Sequence, residues 1–191
     1  MRDGVGYLAR SPVARWLTVG LSSLNVFLSP VIGIGVALQV AQSGWGASWV
    51  GIAEASFAVG AIAGSIAGIR WRRRHVAAQA FWMLVVQGAA LAVIGVPNRG
   101  TLVAAMFIVG VTAGTASVWI SGVFQQTIAA SHLGRVSAVS QLGDLTLTPL
   151  TLPLFGVAVG LTSVPTATLA CGLAMSALCL FFARQPAIRN L

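Results

Sequence analysis

Six long apolar runs constrain this chain more than any other feature: Trp16–Val40, Ser48–Ile69, Val76–Val96, Thr101–Ile128, Val136–Gly160 and Pro165–Ala183. Each is close to the roughly 20 residues that a helix needs to cross a bilayer. Short breaks separate them, among them Ser43-Gly44-Trp45-Gly46, Pro97-Asn98-Arg99-Gly100 and Leu161-Thr162-Ser163 before Pro165. None of these breaks has room for a soluble domain. Charged residues make up only 7% of the chain and mean hydropathy is +0.91, against roughly 25% charged in a soluble domain. The expected fold is therefore an all-α membrane protein of six transmembrane helices, with residues 1–15 as a cytoplasmic pre-helix segment, 16–183 as the bundle and 184–191 as a tail.

Orientation follows from the arginines, because Lys and Arg near span ends are retained in the cytoplasm. The chain has no lysine; Arg2, Arg10, Arg15, Arg70, Arg72, Arg73, Arg74, Arg135, Arg184 and Arg189 fall on one side of a six-span arrangement and Arg99 alone on the other. This places both termini in the cytoplasm and the chain in the cell membrane, as a multi-pass protein whose first partner is the lipid bilayer. The net charge of +8 is thereby read as topology. It does not form the single basic patch of a nucleic-acid-binding protein. The first 15 residues are charged and contain Pro12, unlike a cleaved signal peptide, so the first span is expected to be retained.

Two of the three acids, Glu54 and Asp144, lie inside apolar runs that hold no basic residue. Carboxylates in hydrocarbon are costly, usually face a bundle interior or a wet cavity, and mark substrate or proton pathways. At 100° per residue, Ser137, Ser140, Gln141, Asp144, Thr148 and Thr151 share one face of the fifth span. Gly110, Gly114, Ser117, Ser121 and Gln125 do so on the fourth, and Ser22, Asn25 and Ser29 more sparsely on the first. Three polar faces point to a shared hydrated interior; interhelical hydrogen bonding without a cavity is the other reading. Asp144 lies nine residues from Arg135, roughly 13 Å deep. Desolvation without a partner favours a protonated carboxyl, which makes proton coupling at Asp144 an expectation. Glu54 is nearer the outer end of its span and shares a face with Ala58, Ala61 and Ser65, so a structural or snorkelling role competes with a functional one.

Small residues and prolines speak to packing. Gly60, Gly64 and Gly68 recur every fourth residue, as do Gly110 and Gly114, a spacing that lets helix backbones approach closely. Pro30, Pro149 and Pro153 interrupt helical hydrogen bonding and are candidate kinks, serving as hinges or as static bends. Cys171 and Cys179 lie eight residues apart in the sixth span and read as buried free thiols. No metal or cofactor is expected, and an enzyme is not. A six-span intramembrane serine protease needs Gly-x-Ser-Gly, whereas Trp119-Ile120-Ser121-Gly122 lacks the first glycine, and His75 and His132 fall in loops.

Three stretches carry a family resemblance: Leu8-Ala9-Arg10-Ser11-Pro12-Val13-Ala14-Arg15-Trp16-Leu17; Gly60-x3-Gly64-x3-Gly68-Ile69-Arg70-Trp71-Arg72-Arg73-Arg74; and Gln125-Gln126, Gly134-Arg135-Val136-Ser137, Pro149, Pro153 and Gly156. In order and spacing along six spans they resemble the C-terminal half of a major facilitator superfamily transporter, especially its bacterial drug- and siderophore-exporter-like branch. The resemblance implies that Gly64, Gly68, Arg70, Arg72, Arg73, Arg74, Gly134 and Arg135 belong to cytoplasmic gating loops. It further implies that the first and fourth spans line a central cavity, the second and fifth flank and gate it, and the third and sixth face lipid. Asp144, Glu54, Asn25, Ser29, Ser117, Ser121, Gln125, Gln141 and Thr148 are then the candidates for the substrate or proton pathway. The implied activity is secondary-active efflux of a small amphipathic molecule by alternating access against a second six-helix half, either another copy or a separate chain. Where that branch has an acid in its loop motif, this chain has Gly68, and the family's first six spans have no counterpart here. The competing reading is a non-transporting remnant or a six-span assembly or regulatory subunit.

Overall fold

The computed structural model describes residues 23–71, 76–127 and 149–185, together with positions 134 and 138. Among these residues the regular structure is entirely helical: α1 (Ser23–Gln42), α2 (Ser48–Arg70), α3 (Val76–Ala92), α4 (Arg99–Thr127), α5 (Pro149–Leu161) and α6 (Val164–Ala183). Four stretches, Ser23–Gln42, Ser48–Arg70, Arg99–Val123 and Val164–Ala183, are long and apolar enough to cross a membrane. The six runs of the sequence thus give four helices of spanning length among the described residues. α3 stops at 17 residues because the chain turns through Val93–Pro97, where Pro97 cannot donate a helical hydrogen bond. For the fifth run only the last part, α5, is described.

The breaks act as expected of their residue types. α1 ends in a Schellman motif: Gly44 takes φ +66°, its N–H donates to Ala41 O and that of Trp45 donates to Val40 O. Asn98 caps α4 by accepting from Thr101 N at 3.1 Å, and Ser163 caps α6 by accepting from Thr166 N, with Pro165 in the first turn.

Large apolar side chains lie on the outside of the helices as well as in the core. Ile52, Val59, Ile62 and Ile66 of α2, Leu150, Leu154 and Val157 of α5, and Leu169 and Leu173 of α6 are all exposed. Apolar surface on this scale requires a non-aqueous surrounding, so the helices suit a membrane-embedded protein. Between hydrocarbon tails and an apolar helix there is little hydrophobic drive to associate, so close backbone packing and hydrogen bonds must hold the helices together.

The α2–α4 seam meets that demand. A Cβ at Gly60, Gly64, Gly110 or Gly114 would lie under 3.0 Å from backbone atoms of Phe107, Val111, Phe57 or Ala61 respectively. The two glycine series noted in the sequence therefore face each other's backbones. Ser56 Oγ donates to Val103 O at 2.9 Å across a sequence separation of 47, and Gly60 with Phe107 and Gly64 with Val111 keep the same offset. A constant offset means that α2 and α4 run parallel. Thr115 Oγ1 donates to Gly64 O at 2.9 Å and Trp119 Nε1 to Gly68 O at 3.0 Å, each worth ~0.6 kcal/mol by membrane precedent.

α3 and α6 form a second seam of opposite sense. Gly88 and Gly172 abut each other's backbones, Gly95 abuts Pro165, Ser176 Oγ donates to Val85 O at 3.1 Å, and Phe81 and Phe182 stack at 5.7 Å. Residue numbers rise on one helix as they fall on the other, so this pair is antiparallel. Leu152 and Phe155 of α5 lie over Gly33 and Gly35 of α1, in the same order along both helices. Phe81, Leu91, Ile94, Leu102, Met106 and Met175 fill the buried centre.

Candidate functional site

The α2–α4 seam sets what α4 presents elsewhere. Its polar stripe divides: Gly110 and Gly114 are buried against α2, whereas Ser117, Ser121 and Gln125, farther along the same stripe, are exposed. The stripe therefore does two jobs, packing in its first half and leaving an open polar face in its second. On α1, Asn25 and Ser29 are half-buried. Buried Pro30 follows and immediately precedes a five-residue π-helical segment, Val31–Gly35. Pro30 lacks the N–H that a regular helix would use, and a widened turn of this kind is common at functional sites. The expected interruption at Pro30 thus takes the form of a π-helical turn.

α5 carries exposed Pro149 and Pro153 and buried Thr151, the last member of the fifth-span stripe. Asp144, Gln141 and Thr148, with Ser137 and Ser140, lie outside the described residues. So do Arg72, Arg73, Arg74 and Arg135, while Gly134 is helical and exposed.

Glu54 is exposed on α2 and makes no ion pair among the described residues. Ala58 on the same face is also exposed, but Ala61 and Ser65 are half-buried, because α4 packs beside them through Gly110 and Gly114. The Glu54 face therefore borders the seam and looks away from it.

The tryptophans among the described residues gather at the two ends of the bundle. At the Arg99 end the guanidinium lies 5.6 Å from the Trp45 ring and 5.0 Å from the Trp49 ring, and the two indoles are 6.3 Å apart. This joins the start of α4 to the α1–α2 connection. Beside it a crevice of about 290 Å³ is lined by Gln39, Gln42, Ser43, Trp45, Pro97 and Pro165, in which buried Gln39 donates to Ser43 Oγ at 3.1 Å.

At the opposite end Gly68 is buried, where a Cβ would crowd Val118 and Thr115. Its carbonyl accepts from Trp119, and exposed Arg70 and Trp71 follow. A cavity of about 250 Å³ lies here between α2, α3 and α4, lined in part by Gly68, Val76, Trp119, Gly122 and Gln126. A larger groove of about 400 Å³, also bordered by Trp119, is lined by Trp71, Gln79, Trp82, Met83 and Trp119.

Sequence reading missed two features. Gln87 of α3 is 1% exposed, and neither its Nε2 nor its Oε1 has a hydrogen-bond partner among the described residues; with Gln79 it is one of two amides in an otherwise apolar run. Gly88, Gly95 and Gly172 were single glycines without a repeat, so nothing local marked them as contact points. Cys171 and Cys179 are free thiols. Among the described residues no three His, Cys, Asp or Glu side chains converge as a metal site would require. No protein family, no curated protein and no solved structure matches this chain.

Proposed function

We propose that this chain is one six-helix half of a secondary-active transporter of the major facilitator type, exporting a small amphipathic molecule by rocking against a second six-helix half. The observation that carries this reading is the pairing of helices. α1 meets α5 at Gly33 and Gly35 and α2 meets α4, both in parallel, and α3 meets α6 antiparallel, with α3 also packed on α4. Exchanging helices one to three with four to six returns the same three pairs. Two three-helix repeats of opposite orientation have that property, and such repeats are nested within each half of these transporters. The family resemblance of the three sequence stretches supports the same reading, as does the open face of Ser117, Ser121 and Gln125 on α4.

In this reading six spans cross the membrane with both ends cytoplasmic, and the polar faces of α1, α4 and the fifth span turn toward the second half. That half belongs to a longer chain, a second copy or a separate chain. Lipid cannot satisfy such polar faces, whereas a facing bundle or a wet cavity can. No cofactor is required beyond protons bound at Asp144. Crosslinking tests the proposal directly: a cysteine at Asn25 or Ser117, with Cys171 and Cys179 replaced by serine, should trap a second half. A chain that stays strictly monomeric and silent in vesicle efflux assays would overturn it.

A further inference from the structure

The three-tryptophan groove at the Arg70 end has features that the transport reading does not use. Trp119 is a fixed wall, 7% exposed and tied to Gly68 O at 3.0 Å. Trp82, 52% exposed, and Trp71, 64% exposed, form the open sides. Met83 supplies a flexible apolar floor, and the Gln79 side chain adds an amide to the lining. Indoles gathered at one end of apolar helices mark the level where headgroups meet acyl chains, since the ring is apolar and its N–H is polar.

Two observations say what covers the groove. Along α3, Trp82 is continued by exposed Val86 and Ala89, separated from it by 4 and 7 positions and thus on one outward face. This apolar track leads from the groove along the helix toward the bilayer centre, as an acyl chain would lie. Exposed Arg70 immediately precedes Trp71, at the end of α2, and provides a cation where a lipid phosphate would sit. In sequence Arg70 opens the run Arg70-Trp71-Arg72-Arg73-Arg74, but the last three arginines lie outside the described residues and are not part of this site.

We propose that this groove is a binding site for an anionic phospholipid, with one acyl chain along Trp82, Val86 and Ala89, the glycerol region against the indoles and Gln79, and the phosphate paired with Arg70. The site requires a membrane-embedded chain but not transport, so it stands or falls separately from the efflux reading.

The test uses the full chain reconstituted in bilayers with photoactivatable phosphatidylglycerol or phosphatidylcholine, the reactive group being on the acyl chain, and maps adducts by mass spectrometry. Phosphatidylglycerol should label the α3 segment around Trp82 and Met83 about fivefold more than phosphatidylcholine, the preference expected from one cation near a headgroup of net negative charge, since the choline of phosphatidylcholine offsets its phosphate. Leu154 and Leu161 of α5, exposed at 68% and 81%, should label equally with both lipids and report on folding. Arg70→Gln should bring the preference at α3 to parity, and Arg70→Lys should keep it. If Arg70→Gln disturbs the α5 adducts, the wild-type chain at high salt decides, because screening should remove the preference there too. Equal labelling by both lipids in the wild type would reduce the groove to ordinary lipid contact and overturn the proposal. A preference that survives Arg70→Gln, or that survives high salt, would overturn it as well.

Discussion

Adding a methyl group at Gly64 is the smallest change that should part α2 from α4, because its Cβ would fall under 3.0 Å from Val111 backbone atoms that cannot rotate away. Gly64→Ala is expected to lower stability by ~2 kcal/mol or more, the scale of an overpacked core. Gly51→Ala on the same helix, where nothing lies within 4 Å, should be neutral within ~0.5 kcal/mol. Melting of the two variants in detergent, followed by size-exclusion chromatography, checks the contrast. Also at this scale, Asp144→Asn should abolish the pH dependence of vesicle efflux while leaving membrane insertion intact, and Glu54→Gln should have the smaller effect. Normal efflux by Asp144→Asn across a pH series would reduce Asp144 to an interhelical contact.

Among the elements, the Arg99 clamp makes a separate prediction. It joins the α1–α2 connection to the start of α4 through two half-buried indoles, and a solvent-exposed cation over such a ring contributes ~0.5–1 kcal/mol. Arg99→Gln should therefore loosen that connection, seen as faster proteolysis near Gly44–Gly46, with global melting lowered only slightly. Much at this level was legible in advance. The runs from Ser48 and Thr101, the breaks at Ser43–Gly46 and Pro97–Gly100, and the glycine series of two helices all read directly from residue type and spacing. What spacing does not state is which glycine faces which backbone, for that depends on a second helix distant in sequence. Gly88 and Gly172 show the limit: each is unremarkable alone and becomes a contact only when α3 and α6 meet. The candidate site was legible in part for the same reason. Ser117, Ser121 and Gln125 were recognised as one face, but the loss of Gly110 and Gly114 from that face to the seam is a tertiary fact.

For the whole molecule, topology is the decisive measurement. Reporter fusions placed after Arg74 and after Gly100 should report opposite sides of the membrane, with Arg74 cytoplasmic. The arginine distribution predicts this, and the outcome decides whether the third run crosses although α3 has only 17 residues. Both fusions on one side would exclude a six-span arrangement and with it the repeat symmetry that underlies the transport reading.

The parallel sense of α2 and α4 also bears on biogenesis. Two parallel neighbours cannot be a hairpin, so α2 leaves the ribosome and enters the membrane well before its partner exists. During that interval the bare backbone at Gly60 and Gly64 has no α4 beside it. α3 waits longer still, because one of the two helices packed on it, α6, comes last. A nascent chain halted after Ala92 should thus be held by the insertion machinery or degraded, whereas one halted after Thr127 should release α2 as a protease-resistant pair with α4. Pulse-labelling of arrested chains, followed by limited proteolysis, would reveal that order of assembly.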